Sequence, residues 1–234
     1  MAGATEPLRK GRRMTHARPV LLLVLLLTPT IAAAPNSPEW AAAVCKISTP
    51  GGAAGTGSLV SNAGDGGGFV VTNQHVTSGQ RSAVATWPNG QKARGRVIFA
   101  DRTADLAVIQ LETSVDVAPL PIATRQQMPH AGDTVTLAGY GTRRALTIWP
   151  ATVAGYSKDA RTGRDSITCK TNAENGDSGG PIVYRGRLVS VLWGGRGHYA
   201  RDPRGGRRFV MTDTRGTCGN WLFRRFPRLA PGST

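Results

Sequence analysis

Three short segments carry side chains that together could perform acyl transfer. Gly176-Asp177-Ser178-Gly179-Gly180-Pro181 frames a serine with glycines. Val70-Val71-Thr72-Asn73-Gln74-His75-Val76 sets a histidine just after an apolar run, and Ala104-Asp105-Leu106-Ala107-Val108-Ile109 sets an aspartate at the mouth of another. A serine hydroxyl is a poor nucleophile at neutral pH. It needs a base within reach and backbone amides aimed at the oxygen that becomes negative. Histidine suits the base, and a carboxylate behind it selects the tautomer and steadies the imidazolium. Taken alone, the hexapeptide also fits an ordinary glycine-rich turn between strands. The two upstream segments give it chemical weight.

Short strands have to hold these residues. Twelve β-like runs are legible: Val44–Ile47, Thr56–Val60, Gly68–Thr72, Ala83–Trp87, Gly95–Phe99, Leu106–Leu111, Thr134–Leu137, Leu146–Val153, Ser166–Lys170, Pro181–Tyr184, Leu188–Trp193 and Arg208–Thr212. Between them lie Gly51-Gly52, Gly64–Gly68, Pro88-Asn89-Gly90, Gly132-Asp133, Gly163 and Arg185-Gly186, residues that supply positive φ or turn-forming side chains. A chain of 234 residues, 40% hydrophobic and 18% charged, is neither disordered nor collagen-like nor a multi-pass membrane protein. High glycine and scarce aromatics favour short strands over long packed helices, which predicts a single all-β domain of barrel or sandwich type. A 3.6-residue apolar period is sustained nowhere, although a short helix is expected at Gly219–Phe226. No internal repeat or second domain is visible.

The order His75, Asp105, Ser178, with gaps of 30 and 73 residues, is that of the chymotrypsin-like enzymes. On these motifs the chain resembles the trypsin-like serine proteases, closest to the bacterial HtrA/Deg-type protease domain, across roughly residues 40–226. Gly55-Thr56-Gly57-Ser58 and Thr72-Asn73-Gln74-His75-Val76 look like the Deg-type opening of a first barrel. A phosphate-loop reading of those glycines fails because no lysine follows them. The resemblance implies two six-stranded antiparallel β-barrels, with His75 and Asp105 on the first and Ser178 on the second. It implies an oxyanion hole from the N–H groups of Gly176 and Ser178, Asn172 at the base of the primary pocket, and substrate pairing along Leu192-Trp193-Gly194. Barrel packing is the alternative role for Trp193. No acid stands at position 172, so a small or medium uncharged P1 side chain is expected, with Glu174 near enough to keep a basic preference open. Two departures matter. Asp177 stands where Deg members commonly have Asn, and Arg143 or Arg144 is its expected partner. Only 56 residues follow Ser178, so no PDZ domain is expected.

Residues 1–34 read as a secretory signal peptide: Arg9, Lys10, Arg12, Arg13 and Arg18 precede the apolar run Val20–Leu27 and then Ala32-Ala33-Ala34. This predicts a secreted or periplasmic domain at 35–234, an uncleaved anchor being the alternative. The formal charge of +15 becomes about +11 without that segment. From Arg185 to Arg228, 11 arginines face Asp202 and Asp213, with Tyr199, Phe209, Trp221, Phe223 and Phe226 interleaved. This stretch supports a competing reading: a gated or inactive protease-fold protein that binds anionic surfaces or polyanions. No groove-reading motif is present, so specific nucleic-acid binding is not expected; polypeptide substrates are. Cys45, Cys169 and Cys218 lack metal-ligand spacing, and their pairing is open. No metal or cofactor is expected. His130 and His198 read as surface-loop residues.

Overall fold

The computed structural model describes Met1, Gly3 and residues 37–62, 67–142, 145–158, 165–201 and 207–218; at 196–201, 207–213 and 218 it describes the backbone. Apart from Met1 and Gly3, the segment expected to be a signal peptide lies outside the described residues, as do Arg143, Arg144, the helix expected at Gly219–Phe226 and most side chains of the arginine-rich stretch.

All twelve expected strands form. β1 (Val44–Ser48), β2 (Ala54–Ser61), β3 (Phe69–Thr72), β4 (Ser82–Thr86), β5 (Lys92–Asp101) and β6 (Leu106–Leu111) close a first barrel in the order β1-β2-β3-β6-β5-β4. β7 (Thr134–Gly139), β8 (Thr147–Lys158), β9 (Asp165–Lys170), β10 (Pro181–Tyr184), β11 (Arg187–Arg201) and β12 (Arg207–Cys218) close a second, pairing β7-β8-β9-β12-β11-β10. Every pairing in both barrels is antiparallel. The second barrel repeats the connectivity of the first, a structural repeat with no counterpart visible in the sequence. Closure gives every strand two partners in its barrel, while among the described residues 197–201 and 207–211 pair only with each other.

Alternation drives this arrangement. On β4 the buried residues are Ala83 and Ala85, and their neighbours are only half buried, as expected of a strand with one face inward. β3 is buried throughout because it runs between β2 and β6, with Thr72 at its end beside Gly179. Ile47, Leu59, Leu106, Ile109 and Leu111 fill the first barrel, and Leu137, Ile167 and Ile182 fill the second. Each such side chain contributes about 1.5–3 kcal/mol by leaving water. The first cluster also takes in Val183, Leu188 and Val191 of β10 and β11, so an apolar seam joins the barrels. The intervening segment is stitched to both: Leu120 N–H donates to Leu59 O (2.8 Å), and Leu188 N–H donates to Pro121 O (2.9 Å).

Strands β8, β11 and β12 run beyond their expected limits. Register shifts at Val153/Gly155, Leu192/Gly194 and Arg196/Gly197 let long strands bend around a barrel while staying paired. His198 is thereby placed on β11, opposite Val210, and not on a loop as expected. His130 is exposed on a loop, where its N–H donates to Asp133 Oδ2 (2.8 Å).

Cys45 and Cys169 are free thiols at 0% exposure, one in each barrel core. Burial pushes the Cys169 thiol up to about 12 and that of Cys45 higher still, so neither ionises readily. Brief treatment of the native protein with N-ethylmaleimide should leave both unmodified by peptide mapping, with full modification after denaturation. Rapid labelling of either in the native state would contradict this packing.

Candidate active site

His75 sits on a single helical turn, α1 (Gln74–Thr77), which the sequence reading had placed simply after β3. The Thr77 hydroxyl donates to Gln74 O (2.7 Å), and Ser78 ends the turn in the left-handed region at φ 47°. Such a turn is too short for helical periodicity to reveal. Asp105 also has a left-handed backbone, φ 52°, on the turn between β5 and β6. That backbone is anchored from two sides. Asn73 Nδ2 donates to Asp105 O (2.8 Å), and the Thr217 hydroxyl on β12 reaches across from the second barrel to Ala104 O (2.8 Å).

The Asp105 carboxylate clamps His75 twice. Oδ1 accepts the His75 backbone N–H at 3.0 Å, and Oδ2 lies 2.8 Å from Nδ1. With Nδ1 as donor, Nε2 is the basic nitrogen. The His75 side chain is 47% exposed and that of Asp105 16%, so the pair opens to solvent on the imidazole side.

Ser178 is brought up against β2, near α1, by glycines. A β-carbon on Gly55 would lie 2.6 Å from Val76 Cγ2 and 2.9 Å from Ser178 O, so this residue admits both His75's neighbour and the serine. Glu174–Asp177 and Asp177–Gly180 form successive turns, closed by Asp177 N–H to Glu174 O (3.1 Å) and Gly180 N–H to Asp177 O (2.9 Å). Gly176 and Gly179 are the third residues of these turns, with φ of 98° and 87°, where glycine is favoured. A β-carbon on Gly179 would overlap Thr56 O and Thr72 Oγ1. Among the described residues the N–H groups of Gly176 and Ser178 have no hydrogen-bond acceptor, and the Ser178 hydroxyl makes no hydrogen bond.

Asp177 lies beneath this loop at 4% exposure. Its Oδ1 accepts from Gly141 N–H (2.8 Å) and its Oδ2 from Glu174 N–H (2.7 Å), so both oxygens are engaged by backbone donors. Gly139 is packed against Oδ1 so closely that a β-carbon would overlap it. Arg143 and Arg144 lie outside the described residues. Burial is the larger influence on Asp177 and raises its pKa above the ordinary carboxylate range, with Glu174 adding to the rise and the two N–H bonds opposing it.

Asn172 lines a cavity of about 180 Å³ with Gly141, Thr147, Trp149, Glu174 and Asp177. The Glu174 carboxylate accepts from the Thr142 hydroxyl (2.8 Å). Trp193 and Gly194 are not part of this lining. Trp193 is the extra residue where the β11–β12 register shifts between Leu192 and Gly194, and it is half buried. Gly194 pairs with Arg215 and has open space where a side chain would stand. The structure thus joins His75 to Asp105 and sets Ser178 beside Thr56. Thr56, Asn73 and Thr217 were not singled out as individual residues, although the first two lie inside motifs that were.

The domain model of the trypsin-like peptidase matches residues 55–191, a span that includes His75, Asp105 and Ser178. The chain belongs to the trypsin-like peptidase family, and its similarities include proteases of HtrA type. It is 26% identical over 128 residues to the serine endoprotease DegS of Escherichia coli K12, covering 53% of this chain and 36% of DegS. It is 27% identical over 209 residues to the human peroxisomal leader peptide-processing protease, covering 81% of this chain and 35% of that protein. The chain therefore spans about a third of the length of these relatives. The fold is shared with the HtrA-type protease AlgW bound to a tripeptide, at a TM-score of 0.66 and 18% identity over 82% of this chain and 61% of AlgW.

The buried carboxyl gives a pH test. Folded Asp177 holds its proton more tightly than an unfolded aspartate. Its contribution to stability is therefore full at low pH and is lost as pH rises from the ordinary range through the raised value. Across that window the melting temperature of Asp177→Asn should gain on wild type. A difference between the two that does not change with pH would contradict the assignment.

Proposed function

We propose that the chain is a serine endopeptidase that cleaves polypeptides through an acyl-enzyme, with Ser178 as nucleophile, His75 as general base and acid, and Asp105 orienting His75. The carrying observation is the double clamp of Asp105 on His75, which leaves Nε2 facing outward as acceptor. Ser178 Oγ attacks the scissile carbonyl carbon and its proton passes to Nε2. The C–N bond then breaks as that proton moves to the leaving amine. Water attacks the resulting ester with His75 again as base, releasing the acid and restoring Ser178. The oxyanion formed in each half is received by the N–H groups of Gly176 and Ser178, each worth about 2–4 kcal/mol in the transition state. The hydrogen bond from Ser178 to His75 closes with substrate, since such links are commonly long in unliganded sites.

The substrate backbone pairs along Trp193 and Gly194, where the open face of Gly194 admits an extended chain. The cavity at Asn172 takes a small or medium uncharged P1 side chain. Glu174 beside it is already engaged by Thr142, which weakens the case for a basic P1. Residues 1–34 direct export, placing the domain of residues 35–234 in the periplasm or outside the cell.

A fluorophosphonate probe should label the mature protein at Ser178, and label should vanish in Ser178→Ala, whose turnover should fall on the order of 10⁶-fold. Folded wild type that takes no label would contradict the reading and favour a protease-fold binding protein.

A further inference from the structure

Thr56 makes four hydrogen bonds from a position at 0% exposure, and three of them cross between barrels. Its backbone N–H donates to Ser178 O (2.8 Å), and its carbonyl accepts the Thr72 hydroxyl (2.6 Å). Its own hydroxyl accepts from Tyr140 N–H (3.0 Å) and donates to Gly176 O (2.8 Å). The direction of the last bond is forced. An amide N–H can only donate, so the hydroxyl must accept from Tyr140, and its single proton goes to the Gly176 carbonyl.

The Gly176 carbonyl belongs to the peptide linking residues 176 and 177. That peptide lies between the two whose N–H groups are proposed to bind the oxyanion, those of Gly176 and Ser178. Its other end is pinned as well, because Asp177 N–H donates to Glu174 O (3.1 Å). Gly176, at φ 98°, has no β-carbon to resist rotation of the adjoining peptide. A bond at the carbonyl is therefore what holds the plane, and with it the mutual aim of both donors. Thr56 is suited to hold it: it is branched at the β-carbon on a buried strand, so its χ1 is restricted and the hydroxyl direction is set by packing.

We infer that Thr56 is a positioning residue for the oxyanion-binding loop, acting through its hydroxyl on the Gly176–Asp177 peptide; this rests on the serine-endopeptidase reading. Thr56 touches no reacting atom, and its effect is on the orientation of the Gly176 and Ser178 amides.

The test compares wild type with Thr56→Val, which keeps the shape and loses the hydroxyl, and Thr56→Ser, which keeps the hydroxyl and loses the methyl. The readout is the rate of labelling by a fluorophosphonate as a function of its concentration, giving kinact and KI separately, beside the melting temperature of each variant. Thr56→Val should lose about 10- to 100-fold in kinact with KI within about threefold, and Thr56→Ser should remain within about threefold of wild type. A packing role gives the reverse order, with valine as fast as wild type and serine slower, and that result overturns the inference. Should Thr56→Val not fold, Thr56→Ala against Thr56→Ser poses the same question, as the two differ only in the hydroxyl. Alanine at least about tenfold slower in kinact supports the inference, and equal rates overturn it. Folded wild type that does not label overturns the peptidase reading itself, whereas labelling that is indifferent to the hydroxyl overturns only the role of Thr56.

Discussion

The hydrogen bond from Thr56 N–H to Ser178 O, with the Thr56 hydroxyl beside it between Tyr140 and Gly176, is the constraint on which the rest of the site depends. His75 and Asp105 belong to one barrel and Ser178 to the other, so a small slip between barrels would separate the proposed nucleophile from its base. An apolar seam alone tolerates such slips, because the hydrophobic effect is non-directional. Directional bonds do not. Thr56 ties β2 to the serine loop, and the Thr217 hydroxyl ties β12 to the Asp105 turn, so each barrel reaches into the half of the site carried by the other.

Two aspartates show how environment divides labour. Asp105 keeps an open side and spends both oxygens on one histidine, as the orienting role proposed for it requires. Asp177 is enclosed and spends both oxygens on the backbone of the loop that carries Ser178, which gives it a structural one. Buried charge is costly unless its lone pairs are satisfied, and the close packing of Gly139 and Gly141 against Asp177, and of Gly176 against Gly141, is what brings the Gly141 N–H within reach. The cavity lined by Glu174 and Asp177 adjoins this same loop.

Much of this was legible in the sequence, and the limits have physical causes. Alternation and turn residues located all twelve strands, because those signals are local. The glycines of Gly176-Asp177-Ser178-Gly179-Gly180 are compatible in sequence with a tight turn, and the structure forms two, with positive φ at the third residue of each. Strand ends at β8, β11 and β12 were misjudged because bulges extend pairing past the point where simple alternation breaks. The matching connectivity of the barrels escaped notice because topology repeats there without sequence repeating. Thr56 bonds to partners 84 and 120 residues away, a separation at which one sequence carries no pairing signal. Arg143 and Arg144 are expected beside Asp177 because a buried carboxylate invites a cation, and they lie outside the described residues. The two backbone donors that Asp177 does engage are ones that no side-chain pattern announces.

The most direct test of the account is a crystal structure of the mature protein with Ser178 modified by a fluorophosphonate. The account predicts the phosphoryl oxygen within hydrogen-bonding distance of both the Gly176 and Ser178 N–H groups, the Asp105 clamp on His75 intact, and the Thr56 hydroxyl still bonded to Gly176 O. An adduct whose oxygen points away from those amides, or a Gly176–Asp177 peptide turned from Thr56 with the oxygen still bound, would contradict it.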